Sequence, residues 1–124
     1  MTNNVDITII HLSLSHNDDR LEVDRYVPVG TLYVVSMLEK YNFKVDFKDY
    51  QVYTNKKKLS LTEQLDINTF LSFIGQTGNV IGISCTSDLL PFTICAVKEI
   101  KKQFPGKKII LGGIGPSGVA YELM

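Results

Sequence analysis

The sequence predicts an α/β fold, a parallel sheet with helices on both sides. Three observations lead to it. Short apolar, β-branched runs alternate with segments of helical periodicity from one end of the chain to the other. The run at residues 79–85 (NVIGISC) is almost wholly apolar, as in strands covered on both faces. Every pair of strands is separated by a crossover long enough to hold a helix, which imposes parallel pairing.

The elements follow in order. Residues 5–14 (VDITIIHLSL) read as the first strand, and SHNDDRLEVDRY as a loop. After Pro28-Val29-Gly30 a helix runs to about Tyr41, with an apolar stripe at Val34, Leu38 and Tyr41 broadened by Leu32 and Val35. Asn42 ends it, because asparagine tolerates the left-handed conformation at a helix C-terminus. Residues 44–52 form the second strand, with Val45 and Phe47 on one face and Lys44, Asp46 and Lys48 on the other.

The segment YTNKKKLSL is expected to be a loop, and Ser60 and Glu63 form a capping box opening a helix to about Ile74. Ser87 or Asp88 is expected to cap the helix after the third strand, with Pro91 in its first turn. Phe92, Cys95, Ala96 and Ile100 make its inner face, while Lys98, Lys101 and Lys102 point outward. Residues 108–111 are the fourth strand, and a last helix is expected to begin near Val119.

Bulk composition removes several function classes. Thirteen basic and thirteen acidic residues cancel, so no global field draws the chain to nucleic acid or anionic lipid. No apolar run approaches the length of about 20 residues that crosses a bilayer, and residues 1–10 lack a signal-peptide pattern. The expected location is the cytoplasm. Cys85 and Cys95 lack the close spacing of a metal or cluster site and read as two reduced, half-buried thiols.

Ligands of open parallel sheets bind beyond the carboxyl ends of the strands. Three loops qualify here: residues 11–28, 84–91 and 112–117. The last two are crowded with glycine and small hydroxyl residues, which admit a flat ligand close to the main chain. There is neither a G-x-G-x-x-G after the first strand nor a G-x-x-x-x-G-K-[ST], so a nicotinamide or ATP site lacks support.

Two stretches, PVGTLYVVSMLEKYNFKVDFKD and NVIGISCTSDLLPFTICAVKEIKKQFPGKKIILGGIGPS, together resemble the N-terminal cobalamin (vitamin B12)-binding domain of cobalamin-dependent radical SAM enzymes. The resemblance rests on Pro28, Gly30 and Tyr33, on the acid Asp49 closing a strand, on residues 80–86, and on the G-G-x-x-P pattern of Gly112, Gly113 and Pro116. It implies a flavodoxin-like (Rossmann-like) three-layer sandwich of strand order 2-1-3-4, with the usual fifth strand missing. Cobalamin would lie across the carboxyl edge. Ser84, Thr86 and Ser87 would hydrogen-bond it, Gly112, Gly113, Gly115 and Pro116 would let it approach the backbone, and Leu89, Leu90 and Ile114 would form apolar walls.

The same resemblance implies that residues 1–124 are a truncated cobalamin domain, normally followed by a radical SAM domain that holds S-adenosylmethionine and a 4Fe-4S cluster. The C-x-x-x-C-x-x-C motif of that domain is absent here, so the chain is expected to be non-catalytic by itself and its parent enzyme to be of methyltransferase type. No D-x-H-x-x-G motif is present, and His16 reads as a loop histidine, His11 as a packed strand residue. Two other readings stand beside this one. A flavin-binding or receiver-like domain would use Asp49, but Asp18 and Asp19 lie well into their loop and no lysine follows Lys108. A scaffold or interaction domain would use residues 107–112 as an open sheet edge, giving a homodimer through that strand or the terminal helix.

Overall fold

The computed structural model describes residues 5–14 and 28–113. Four strands, β1 (Ile7–Leu12), β2 (Val45–Asp49), β3 (Val80–Cys85) and β4 (Lys108–Gly112), form one all-parallel sheet in the order β2-β1-β3-β4. Five α-helices accompany them: α1 (Val29–Lys40), α2 (Tyr50–Lys56), α3 (Leu61–Gln64), α4 (Ile67–Ile74) and α5 (Leu90–Gln103). The architecture is the expected flavodoxin-like sandwich. The last expected helix, near Val119, lies outside the described residues.

One face of the sheet carries the main core. Ile10 and Leu12 of β1 and Ile81, Ile83 and Cys85 of β3 pack with Tyr50 of α2, Phe70 and Ile74 of α4, and Ala96 and Ile100 of α5. Tyr50 sits at its centre, fully buried, stacked near Tyr53 and edge-on to Phe70. Its hydroxyl donates to the Gln64 carbonyl at 2.6 Å, as a buried phenol must find a partner. Burial, with smaller contributions from Tyr53 and Asp66, pushes its pKa up to about 12. On the opposite face α1 packs against β1 and β2, burying Val35 and Ile9.

Several boundaries differ from the sequence reading. The second strand stops at Asp49, whose carboxylate accepts from the Val52 amide and so starts α2 where a strand end and loop were expected. The capping box of Ser60 and Glu63 forms as expected, but it opens only the single turn of α3. Asp66 then accepts from the Asn68 amide and starts α4 anew. Neither Ser87 nor Asp88 caps α5. A 3₁₀ turn, Ser87–Leu89, leads into it, and Thr86 Oγ1 donates to Asp88 Oδ1 instead.

Two helix faces are also rotated from expectation. On α1 the buried residue is Val35, with Leu38 half-buried, while Leu32, Val34 and Tyr41 are exposed. On α5, Thr93 takes the inward position expected of Cys95, its hydroxyl donating to the Leu89 carbonyl at 2.8 Å. Cys95 is exposed and Cys85 buried, so the two thiols are unlike rather than both half-buried. Asn42 does adopt φ 71°, and Phe43 N–H donates to Leu38 O while Asn42 N–H donates to Glu39 O, closing α1 as a Schellman motif.

Candidate functional site

The strand register arranges the side chains of the α1 face in three transverse rows. The row at the amino ends is Val45, Ile7, Val80 and Lys108; the middle row is Phe47, Ile9, Gly82 and Ile110. The row at the carboxyl ends is Asp49, His11, Ser84 and Gly112. Registered neighbours in a parallel sheet share a face and lie about 4.8 Å apart. Apart from Lys108 at the edge, this face carries apolar residues or glycine in its lower two rows and turns polar at the carboxyl rim, the end where ligands of such sheets bind.

The two glycines after β4 have different reasons to be glycine. Gly113 has φ 102°, and a Cβ there would meet the Cys85 carbonyl oxygen at 2.6 Å, so the turn itself demands it. At Gly112 no described heavy atom comes within 4 Å of where a Cβ would stand. Among the described residues that space is open, at the end of the polar row. Ser84 Oγ lies beside Gly113, 3.2 Å from the same hypothetical Cβ, so β3 and β4 present their polar ends together.

The other expected site residues fall into three groups. Ser84 and Thr86 stand at the rim, Ser84 half-buried and Thr86 exposed, and Ser87 is exposed in the 3₁₀ turn. Leu89 and Leu90 are buried in the main core and line no open cleft. Ile114, Gly115 and Pro116 lie outside the described residues, as do His16, Asp18 and Asp19. His11 belongs to the rim row, which its register with Asp49 and Ser84 reveals and which strand alternation could have suggested.

Among the described residues no group of three or more His, Cys, Asp or Glu side chains is placed to hold a metal ion. The Cys85 thiol pKa is pushed up by burial and by Asp88, against a hydrogen bond with Thr93, which keeps it a poor nucleophile. No described helix is long and apolar enough to cross a membrane.

Two clefts lie at the opposite end of the sheet. One of about 670 Å³ is bordered by Asn79, Val80, Phe104, Pro105, Lys107 and Lys108, and a smaller one of about 270 Å³ lies between α4 and α5. Their conspicuous cation is already committed. Lys107 Nζ donates to Thr77 O at 3.1 Å, to Thr77 Oγ1 and to Gly78 O at 3.2 Å, and lies over the Phe104 ring. Lys101 Nζ similarly donates to the carbonyls of Pro105 and Lys107. These lysines tie down the α5–β4 turn, and the amino ends of parallel strands are seldom ligand sites. No family model, curated protein or solved structure matches this chain.

Proposed function

We propose that this chain is a cobalamin-binding module, non-catalytic by itself, that serves a methyltransferase of the cobalamin-dependent radical SAM type. The observation that carries the reading is the open position at Gly112, in one row with Ser84 at the carboxyl rim of a 2-1-3-4 parallel sheet. Open space over a bare main chain would admit a planar group lying against the backbone. Ser84 and Thr86 would hydrogen-bond the ligand's polar groups, Thr86 through the lone pairs left after its hydroxyl proton goes to Asp88. Gly113 holds the turn that leaves Gly112 bare. Cobalamin, when bound, supplies a cobalt centre able to carry a methyl group, while the protein binds, orients and shields it.

Titration of hydroxocobalamin into the protein, followed by absorption, tests this. A saturable spectral shift is expected, and it should be lost in Gly112→Val. An unchanged spectrum at saturating ligand contradicts the reading.

A second reading concerns association. Among the described residues β4 is an edge strand, and its Ile110 is 62% exposed on the face opposite the main core. Edges of this kind pair with other chains, which favours a homodimer through β4. Sedimentation showing a concentration-dependent dimer, weakened by Ile110→Lys, supports it, and a strict monomer at high concentration contradicts it.

A further inference from the structure

We propose that Ser84 and Thr86 form a clamp for a primary carboxamide, with Asp88 as the residue that positions it. The inference rests on the cobalamin reading and names the ligand group this part of the rim selects, one of the primary amides on the corrin periphery.

Ser84 lies one residue before the end of β3, and Thr86 follows the strand in extended conformation. Cys85 between them is 4% exposed and belongs to the main core. Alternation along an extended chain therefore sends Ser84 and Thr86 to the other side, roughly 6.5 Å apart. Thr86 is exposed, and Ser84 is half-buried in register with the open position at Gly112.

The two hydroxyls differ in what they offer. Thr86 Oγ1 donates its one proton to Asp88 Oδ1, which leaves only lone pairs for a ligand. Asp88 sits in a closed turn, because the Leu89 amide donates to Thr86 O at 3.1 Å and the Leu89 side chain is anchored in the core. Its carboxylate therefore stays within reach of Thr86. The Ser84 proton rotates to suit its neighbour. The pair thus presents a fixed acceptor beside an adaptable donor. A primary carboxamide is the complement, with N–H donors for Thr86 and a carbonyl oxygen for Ser84. A group that only accepts finds no partner at Thr86. Asp88 touches no ligand in this arrangement and acts through Thr86, so its signature is selectivity.

The test compares hydroxocobalamin with a set of derivatives, each having one peripheral primary amide converted to its methyl ester, in equilibrium binding followed by absorption. Amide and ester are both uncharged, so charge elsewhere around the rim bears on both alike. One member of the set is expected to bind about five- to tenfold more weakly than hydroxocobalamin, the effect of one hydrogen bond. Thr86→Val should abolish the difference for that member. Asp88→Ala should do the same, because the freed Thr86 proton can turn to an ester carbonyl. Asp88→Asn retains an acceptor for that proton and should keep the selectivity.

Equal binding of every ester by the parent protein overturns the clamp and leaves the module reading standing. Undiminished selectivity in Thr86→Val or Asp88→Ala overturns the clamp likewise. Absence of hydroxocobalamin binding overturns the module reading itself, and the clamp with it.

Discussion

The two faces of the sheet are built differently. On the face covered by α2, α4 and α5, five aromatic rings (Tyr50, Tyr53, Phe70, Phe73 and Phe92) interlock over Ile10, Ile81 and Ile83. On the face covered by α1, the buried apolar side chains among the described residues are Ile9 and Val35, and Ile110 stands 62% exposed. One face is closed by the chain's own side chains. The other grades from apolar to polar and ends at an open glycine. Among the described residues, packing is concentrated on the first face and open space on the second.

Unequal responses to truncation are the largest expected sign of this difference. Phe70→Ala should cost about 3–5 kcal/mol, since it empties a fully packed position. Val35→Ala should cost only about 1–2 kcal/mol, the order of a single buried valine beside exposed neighbours. Urea denaturation of both variants checks the ranking, and equal losses would erase the asymmetry.

The adjacent glycines sharpen it further. Gly113→Ala should destabilise by about 1–3 kcal/mol, because φ 102° and the Cys85 carbonyl both oppose a Cβ. Gly112→Ala should leave thermal stability within about 1 kcal/mol of the parent, the ordinary range for a change that meets no neighbour. If the two lose the same stability, the space over Gly112 is not open.

Tyr50 gives the packed face a pH signature. Its folded-state pKa, about 12, lies above the ordinary value of 10.0, so the neutral phenol is favoured by folding. That stability is fully present below pH 10 and drains away as pH rises toward 12. Tyr50→Phe should lose about 1 kcal/mol with the Gln64 hydrogen bond and shed this part of the alkaline slope, read by denaturation at several pH values.

The smallest effect is expected at Lys58, which closes α2 with φ 52° while Leu59 N–H donates to Thr54 O. Lys58→Gly relieves the left-handed strain and should raise stability by about 0.5–1 kcal/mol.

Strand identity and parallel pairing were legible because β-branched runs and crossover lengths leave few topologies open, while the order 2-1-3-4 rested on the resemblance. Asn42 was legible for the same local reason, since its residue type matches its conformation. The end of β2 was not. Tyr50 and Val52 are residues that favour strands, whereas the Asp49 cap starts a helix there and the Tyr50 hydroxyl donates to Gln64 O. Helix faces failed where apolar residues surround the axis. On α1, Leu32, Val34 and Val35 are equally apolar, and the position of β1 and β2 selects Val35.

The site divides along the same line. Gly112 and Ser84 follow from glycine and hydroxyl residues at strand ends. Leu89 was drawn toward the site by its place in the loop, but the 3₁₀ turn directs it into the core. His11 was read as a packed residue, and its ring nitrogens are buried; its place in the row of Asp49 and Ser84 needs the register of three strands.

The most direct test of the open rim is an amide chemical-shift map of the protein with and without cobalamin. The account predicts that the largest changes fall on His11, Ser84, Thr86 and Gly112, while Asn79, Phe104 and Lys107 at the opposite end stay still. Changes centred on Asn79 and Lys107, or none anywhere, would contradict it.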